Sequence, residues 1–534
     1  MLNFFKKIYN FFIDFFSPVT CIRINKNRPT IQLLNDPTSP NLSQNVFISK
    51  PAFSNFTVRG LIKTGNPLYT LPWQNENVYA NINGSLLYLR NFFPVNLKSW
   101  ASTKNLMIYP RAGNDANAYY DRKSLKFFYF TDDNNKKIFT CNSADVITHE
   151  LGHAILDAIR PDFWNIASFE IGAYHEAFGD ITAILSCLNY NIVLDTLLTA
   201  TGNDLRKDNF VSGLAEEFGI SLKIGNALRN SFNSYVYVDP ITLPENGNGL
   251  IQEIHSFAEV WTGTFYELLT EFFELFGKDK AALIKARDLS ADFVFKTAKD
   301  TPATKNLFFA LAKTYLAYDL SKYGGQYKNI LTKVFSKRGL ISSSLVQNLS
   351  EDNFNAMSSD TNILFKEIKF ASLSSTELGV LNINGLDSIN VELPCDTFKT
   401  KNGLFNSLSV GNDEQESKDA AKSFVNYLIN RNQIGDSDMQ SWFVEKNTKN
   451  LVRKHACCGD LGFINNCTIE GQPEYGKCWK PANNSGCCPY GCPTTPAPTV
   501  SVKVPCSVGY NSCNINSYNS CGSNYYSVCN CNKR

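Results

Sequence analysis

Two histidines and a glutamate in the stretch THELGHA are the residues best suited to chemistry. His149 and His153 are four positions apart, so a helix would bring both imidazoles to one face, one turn apart. Two imidazoles placed in this way can occupy adjacent corners of a tetrahedral zinc site. Glu150 would lie close enough to take a proton from a water activated by that metal. The chain has only five histidines in 534 residues, which favours a metal site over a helix with two solvated or packed histidines.

The residues around this stretch predict a buried helix that would position the three side chains. Ser143 can cap its N-terminus, and Asp145 would complement the helix dipole in the first turn. The residues between Asp145 and Pro161 include enough apolar side chains to form a broad apolar face. Pro161 marks the end of the helix, because a proline biases the preceding residue, Arg160, out of the helical region. Because polar side chains buried in such a helix need partners, a bound metal would satisfy them.

A second helix, predicted over residues 168–188, would provide the third metal ligand. It contains the sequence GAYHEAFGD, in which Glu176 could bind zinc. Asp180 lies one turn further along the same face and could accept the free ring N–H of a ligand histidine, which fixes the tautomer and raises the basicity of that ligand. The alternative for Glu176 is an ordinary acidic residue on an exposed helix face.

Together these residues resemble the pattern of the thermolysin-like gluzincin metallopeptidases, with HExxH on one helix and Glu-x-x-x-Asp on the next. The resemblance covers about residues 75–340. It implies an α+β fold with two lobes, a β-rich N-lobe and a helical C-lobe, and a zinc cleft between them. It also implies a zinc-dependent endopeptidase with one zinc per chain, in which Glu150 assists the attack of water on a peptide bond. The gap from His153 to Glu176 is a few residues longer than in thermolysin.

The resemblance assigns further residues to the site. Asn117 and Ala118 match a strand edge that binds the substrate backbone, and such an edge can pair with an extended peptide. His255, at the start of a helix predicted over residues 254–276, matches a histidine that stabilises the oxyanion. Arg206 is the candidate for an arginine that supports the zinc-side carboxylates and the substrate carbonyl. The alternatives are an ordinary hairpin edge, a core or surface histidine, and a surface arginine.

Two features depart from the family pattern. The family has a tyrosine between the two zinc-binding helices, whereas this chain has Phe163 and Trp164, of which only the tryptophan could donate a hydrogen bond. The sequence also shows no acidic cluster that indicates a calcium site of the kind thermolysin carries. Calcium is therefore compatible with the family but unsupported by the sequence.

Composition and pattern divide the chain into segments of different character. An apolar content of 43% describes a globular protein, and a net charge of +2 gives no reason to expect a nucleic-acid partner, so the expected partner is a protein or peptide substrate. The predicted segments are an N-terminal amphipathic helix or prosegment at 1–70, an N-lobe with the zinc-binding helices at 71–190, a helical C-lobe at 191–345, a small α+β module at 346–450 and a cysteine-rich tail at 451–534.

The two ends of the chain bear on location. Twelve of the sixteen cysteines lie between Cys457 and Cys531 without a CxxC pair, which favours disulfides over a zinc module and an extracellular, cell-surface or virion location. The N-terminal stretch MLNFFKKIYNFFIDFF is not a clear signal peptide and is too short and too charged for a transmembrane segment. It could pack on the protein body or contact a membrane surface.

Two rival functions are open. The first is a structural or binding protein, catalytically weak or inactive, that keeps the gluzincin fold and acts through its cysteine-rich tail on a surface or virion. Glu150 argues against it, because a scaffold has no need of a general base. The second is an aminopeptidase of the wider gluzincin group, but the exopeptidase motif Gly-x-Met-Glu-Asn is absent from the sequence.

Overall fold

The computed structural model describes the chain from residue 31 to residue 533 with gaps. The described residues are 31–33, 36–38, 44–46, 55–59, 73–94, 97, 99–247, 249–341, 369–394, 414–437 and 439–457, with short strands at 468–469, 472–473, 502–504, 510–515 and 529–533. The predicted amphipathic helix at Met1–Phe16 and the predicted disulfides of the tail lie outside what is described. Both stay predictions.

The described strands up to residue 457 are short. They are β1 (Ile31–Leu33), β2 (Gln44–Val46), β3 (Phe56–Val58), β4 (Leu106–Tyr109), β5 (Ala118–Tyr120), β6 (Ser124–Phe127), β7 (Tyr129–Thr131), β8 (Lys137–Phe139), β9 (Gly213–Leu214), β10 (Arg229–Asn230), β11 (Phe370–Ser374), β12 (Ser388–Glu392), β13 (Trp442–Val444), β14 (Leu451–Arg453) and β15 (Ala456–Cys457). The largest described sheet has five strands in the order β15-β5-β6-β4-β3. The strands β5 and β6 form an antiparallel hairpin, whereas β4 pairs with β3 and β6 in parallel.

Helices dominate the rest of the described chain. They are α1 (Trp73–Leu89), α2 (Ala144–Ile159), α3 (Phe169–Cys187), α4 (Asn191–Thr201), α5 (Glu216–Ser221), α6 (Ile254–Phe276), α7 (Lys280–Asp300), α8 (Leu307–Tyr323), α9 (Lys328–Lys337) and α10 (Glu414–Asn430). The molecule is thus a mixture of helices and strands, as predicted. Within the part that the structure describes, no single helix is long and apolar enough to cross a membrane. The helices α3 and α4 together have the length and apolar composition of a membrane span, but the chain bends by 96° between them.

Helix α3 lies at the centre of the core. All of its residues from Phe169 to Cys187 are buried, and it packs against α2 on one side and α6 on another. A helix that is apolar on nearly every face needs such an enclosed position. The carboxylates of Glu176 and Asp180 are carried on this helix, so they are buried with it and need partners from the neighbouring helices.

The module after residue 369 packs on the side of α3. The strands β11 and β12 pair with each other, β13 pairs with β14, and the Ala167 N–H donates to the Glu392 carbonyl at 2.8 Å. The apolar residues of Val380–Ile383 predict a strand, but this prediction is wrong, because the segment follows the turn at residues 375–379 and makes a single β-bridge, between Ile383 and Leu386. Gly379 adopts a φ of +69°, and Leu381 is 96% exposed, so the apolar run does not pack as a strand would.

Candidate metal centre

Helix α2 begins where the capping pattern predicts. The Ser143 hydroxyl accepts a hydrogen bond from the Val146 N–H at 3.5 Å, and the helix runs from Ala144 to Ile159. His149, Glu150 and His153 are all buried, with at most 3% of each residue exposed. The sequence therefore places two imidazoles and a carboxylate inside the protein on one stretch of helix.

The two imidazoles of α2 converge with a carboxylate of α3. The distance from His149 Nε2 to Glu176 Oε2 is 3.3 Å, and the distance from His153 Nε2 to the same oxygen is 3.6 Å. These three atoms lie within 4.8 Å of one another. Two imidazole nitrogens and one carboxylate oxygen form a donor set that suits zinc and leaves a fourth position open. The residues therefore fit a metal ion.

Two glycines allow α2 and α3 to approach closely enough for this convergence. A Cβ added at Gly152 would lie 2.8 Å from Gly179 Cα, and a Cβ added at Gly179 would lie 2.6 Å from His149 Nδ1. Contacts this short do not occur between non-bonded carbon or nitrogen atoms, so only glycine fits at either position. The glycines thus set the distance between the metal-binding faces of the two helices.

Asp180 and Arg229 hold the ring of His149. Asp180 Oδ1 lies 2.8 Å from His149 Nδ1, while Arg229 donates through Nη2 to Oδ1 at 2.6 Å and through Nε to Oδ2 at 2.8 Å. Burial raises the pKa of Asp180, but the charges of Arg229 and His149 outweigh burial and leave the pKa below its ordinary value. An ionised Asp180 keeps the proton of His149 on Nδ1, so Nε2 faces the carboxylate of Glu176.

The two imidazoles differ in protonation. Burial alone would lower the pKa of His149, but hydrogen bonds to Asp180 and Glu176 raise it to about 9. Burial dominates for His153 and lowers its pKa to about 4. A metal that binds His149 Nε2 would therefore take the place of a proton, whereas His153 is already neutral.

His255 faces the same carboxylate from a third helix. Its Nε2 lies 3.2 Å from Glu176 Oε2, and its Nδ1 lies 2.6 Å from Glu253 Oε1. Burial opposes the charge on His255, but Glu253 and Glu176 outweigh it and raise the pKa well above the ordinary value. Glu253 also caps α6, because its Oε2 accepts from the Ser256 N–H at 2.8 Å. His255 is thus held as a cation that points at the candidate metal ligands.

Arg206 does not take the position predicted for it. Its guanidinium binds Glu271 at 2.6 Å and Glu274 at 2.9 Å, near the C-terminal end of α6. His255 lies at the other end of this helix, so Arg206 is about 24 Å along the helix axis from the site. The arginine that contacts Asp180 is Arg229, which follows a leucine as Arg206 does, so the local sequence did not separate the two candidates.

The predicted substrate-binding residues lie beside the hairpin β5–β6. Ala118 begins β5, and Asn117 precedes it with its side-chain Oδ1 buried and not hydrogen-bonded to any described residue. Beside them, β15 covers the edge of β5 at Tyr119 and Tyr120. The edge that the sequence predicts to be open is therefore occupied at these two positions by the chain itself.

Several residues near the site have no motif that would have revealed them. Arg229 and the segment from Arg453 to His455 are brought close to the candidate metal ligands only by the fold. Glu253, in contrast, could be recognised from the sequence as a helix cap before His255. Trp164, the residue that could donate a hydrogen bond in place of the family's tyrosine, donates its indole N–H to the Arg453 carbonyl at 3.0 Å. His175 packs 5.8 Å from the His153 ring, and burial keeps its pKa well below the ordinary value, so it is neutral.

A second group of acidic side chains gathers away from the histidines. Oxygen atoms of Asp36, Asp145 and Glu216 lie within 4.8 Å of one another. Burial and the neighbouring carboxylates raise the pKa of Asp145 well above its ordinary value and that of Glu216 to about 10. The sequence showed no such cluster, because its members come from three distant segments.

One family model matches this part of the chain. The fungalysin metallopeptidase family (M36) matches residues 121–343, a span shorter than half of the chain. The match indicates a metallopeptidase. It contains His149, Glu150, His153, Glu176 and His255, and it excludes Asn117, Ala118 and everything after residue 343. No curated protein sequence matches the chain.

Proposed function

We propose that the protein is a zinc-dependent endopeptidase of the thermolysin-like gluzincin type. The observation that carries this proposal is the convergence of His149 Nε2, His153 Nε2 and Glu176 Oε2. Glu150 lies on the same helix as the two histidines, and His255 faces the group from α6. The match to the fungalysin metallopeptidase family supports the proposal for residues 121–343.

His149, His153 and Glu176 would hold the metal, and Asp180 with Arg229 would orient the first of them. When bound, zinc acts as a Lewis acid that polarises a peptide carbonyl and lowers the pKa of water to about 7. Three protein ligands and one open position are typical of a catalytic zinc site and not of a structural one. We expect one zinc per chain, and the acidic group at Asp36, Asp145 and Glu216 takes no part in this chemistry.

The chain's own residues carry the proton transfers. Glu150 follows a ligand histidine on α2, where it would accept the proton of the attacking water and pass it to the leaving amine. His255, held protonated by Glu253, would donate from Nε2 to the negative charge that develops on the carbonyl oxygen. Both groups lie at 0% exposure, where such electrostatic interactions are stronger than in water.

The edge of β5 would align the substrate. A peptide added to this edge as an antiparallel strand would run past Asn117 and Ala118, and the buried Asn117 Oδ1 could accept one of its N–H groups. We propose that this edge belongs to a β-rich lobe, that helices α6 to α9 form the second lobe, and that the peptide enters between them. The inactive-scaffold alternative gains no support from a site that keeps Glu150 and His255 in place.

Cleavage of a quenched peptide with both ends blocked tests the proposal. Wild-type protein, Glu150→Gln and Glu217→Gln would be loaded with zinc and compared. Glu217 is a matched control, because it is also a buried glutamate but pairs with Lys136 at 2.7 Å. We expect Glu150→Gln to keep its zinc and to cleave about 100- to 10,000-fold more slowly, with Glu217→Gln unchanged. Equal cleavage by Glu150→Gln and wild type would contradict the role of Glu150.

A further inference from the structure

A distant segment of the chain covers the strand edge beside the candidate metal centre. Strand β15 pairs antiparallel with β5, with Ala456 opposite Tyr120 and Cys457 opposite Tyr119. In the described five-strand sheet, β15 is the outermost strand, so β5 would be the edge without it. An extended segment in this position makes the backbone pairing that a peptide would make on binding the same edge.

His455 anchors this segment through an aromatic contact. Its imidazole stacks on the Tyr119 ring with centroids 4.4 Å apart and an angle of 21° between the planes. His455 is 4% exposed, so the contact excludes water. A side chain buried against the strand proposed to bind the substrate resembles a peptide side chain that fills a subsite.

Arg453 is the residue of this segment that contacts a candidate metal ligand. Its Nη2 lies 3.7 Å from Glu176 Oε1, and its guanidinium lies 5.1 Å from the centre of the Trp164 ring. The Arg453 carbonyl accepts a hydrogen bond from the Trp164 indole N–H at 3.0 Å. The backbone N–H of Arg453 donates to Asn165 Oδ1 at 3.3 Å. The loop between α2 and α3 therefore holds the backbone of Arg453 while its side chain reaches the candidate centre.

The contacts of Arg453 distinguish an inhibitor from a substrate. A substrate must offer a peptide carbonyl to Glu150 and His255, whereas Arg453 contacts the candidate ligand Glu176 through its side chain. What this residue presents to Glu176 is a guanidinium, which cannot be hydrolysed as a peptide bond. The guanidinium also brings a positive charge next to a carboxylate whose negative charge a metal would share. The segment thus contacts the candidate centre through a side chain and not through a peptide bond.

We propose that Arg453–Cys457 is an internal inhibitor that occupies the peptide-binding edge of β5 and the Glu176 side of the cleft. The proposal rests on the proposed endopeptidase function and adds a regulated state to it. Protein substrates reach the site only after the segment leaves. Strand β15 is paired with β5 at two residues, and Arg453 at the end of β14 is paired with Trp442, so release of the segment separates these three pairs. The segment lies outside the span that matches the fungalysin family, so it is a feature of this chain's C-terminal part.

The double variant Arg453→Ala with His455→Ala would release the segment. The control is Lys454→Ala, which alters the residue between them. The Lys454 ammonium donates to the Ser437 carbonyl at 2.7 Å, away from Glu176 and Tyr119. Circular dichroism and thermal unfolding would show that each variant is folded. We expect the double variant to cleave a blocked quenched peptide at least tenfold faster than wild type and Lys454→Ala.

A binding assay makes the test independent of catalysis. The probe is a fluorescein-labelled synthetic peptide with the sequence of residues 451–457 and serine at the last position. All proteins carry Glu150→Gln, so that the probe stays intact. We expect the released variant to bind the probe at least tenfold more tightly than Glu150→Gln alone and than Glu150→Gln with Lys454→Ala. Equal affinity, or no binding by any of the three proteins, would overturn the internal inhibitor. Binding as expected without cleavage by the released protein would overturn the endopeptidase function alone.

Discussion

Arg229 and Asp180 form a buried bidentate ion pair behind His149. The two contacts measure 2.6 and 2.8 Å, and both residues are at most 6% exposed. The pair keeps the carboxylate charged and aimed at His149 Nδ1. The Arg229–Asp180 pair therefore affects how firmly His149 can bind a metal ion.

Replacement of Arg229 by glutamine should therefore weaken metal binding. Without the guanidinium, burial would favour a protonated Asp180, which orients His149 less firmly. We expect zinc affinity to fall about 10- to 100-fold, measured by competition with a chromophoric chelator. Arg206→Gln is the matched control, since Arg206 pairs with Glu271 and Glu274 instead. A loss of affinity in Arg206→Gln, with Arg229→Gln unchanged, would restore the assignment that the sequence suggested.

Gly179→Ala should damage both stability and the metal centre. The added methyl group would lie 2.6 Å from His149 Nδ1, so α2 and α3 would have to separate. We expect the free energy of unfolding to fall by about 1–3 kcal/mol, measured by urea denaturation, together with weaker zinc binding. Gly172→Ala, on the same helix, would meet the side chains of Ile254 at 3.2 Å and Phe424 at 3.8 Å, and it should cost less because a side chain can shift by a few tenths of an ångström. Equal effects of the two substitutions would show that the close helix approach is not what positions His149.

Ionisation of the buried Glu170 carboxyl should lower the free energy of unfolding as pH rises. Its carboxylate accepts from the Phe308 N–H at 2.8 Å and the Tyr237 hydroxyl at 2.7 Å, yet burial raises its pKa from 4.5 to about 7. The folded state therefore binds more protons than the unfolded state between these values, and stability is lost as pH rises through this window. Urea unfolding at pH 5 and pH 8 should show a smaller loss for Glu170→Gln than for wild type. The same loss in both proteins would mean that Glu170 ionises freely in the fold.

The local part of the site could be predicted from the sequence. His149, Glu150 and His153 lie within one helical turn of one another, and Glu176 and Asp180 repeat this spacing on the next helix. Residue type, helix periodicity and capping are properties of neighbouring residues, so they are visible without a structure. The predicted helix at residues 254–276 has the same bounds in the structure for the same reason.

The parts that failed or were missed depend on long-range contacts. Arg206 and Arg229 look alike in sequence, and only the path of the chain through β10 decides which one meets Asp180. The pairing of Ala456 with Tyr120 joins residues more than 330 positions apart, so no local pattern announces it. Three of the four residues Val380–Ile383 are apolar, which predicts a strand, but the chain turns at Gly379, whose φ is positive.

Metal content tests the central claim most directly. Zinc per chain would be measured by mass spectrometry after dialysis for wild type, His153→Asn and His175→Asn. His153 and His175 are both buried histidines with rings 5.8 Å apart, but only His153 belongs to the converging group. We predict about one zinc per chain in wild type and His175→Asn, and almost none in His153→Asn. Full zinc in His153→Asn, or its loss only in His175→Asn, would contradict the centre built from His149, His153 and Glu176.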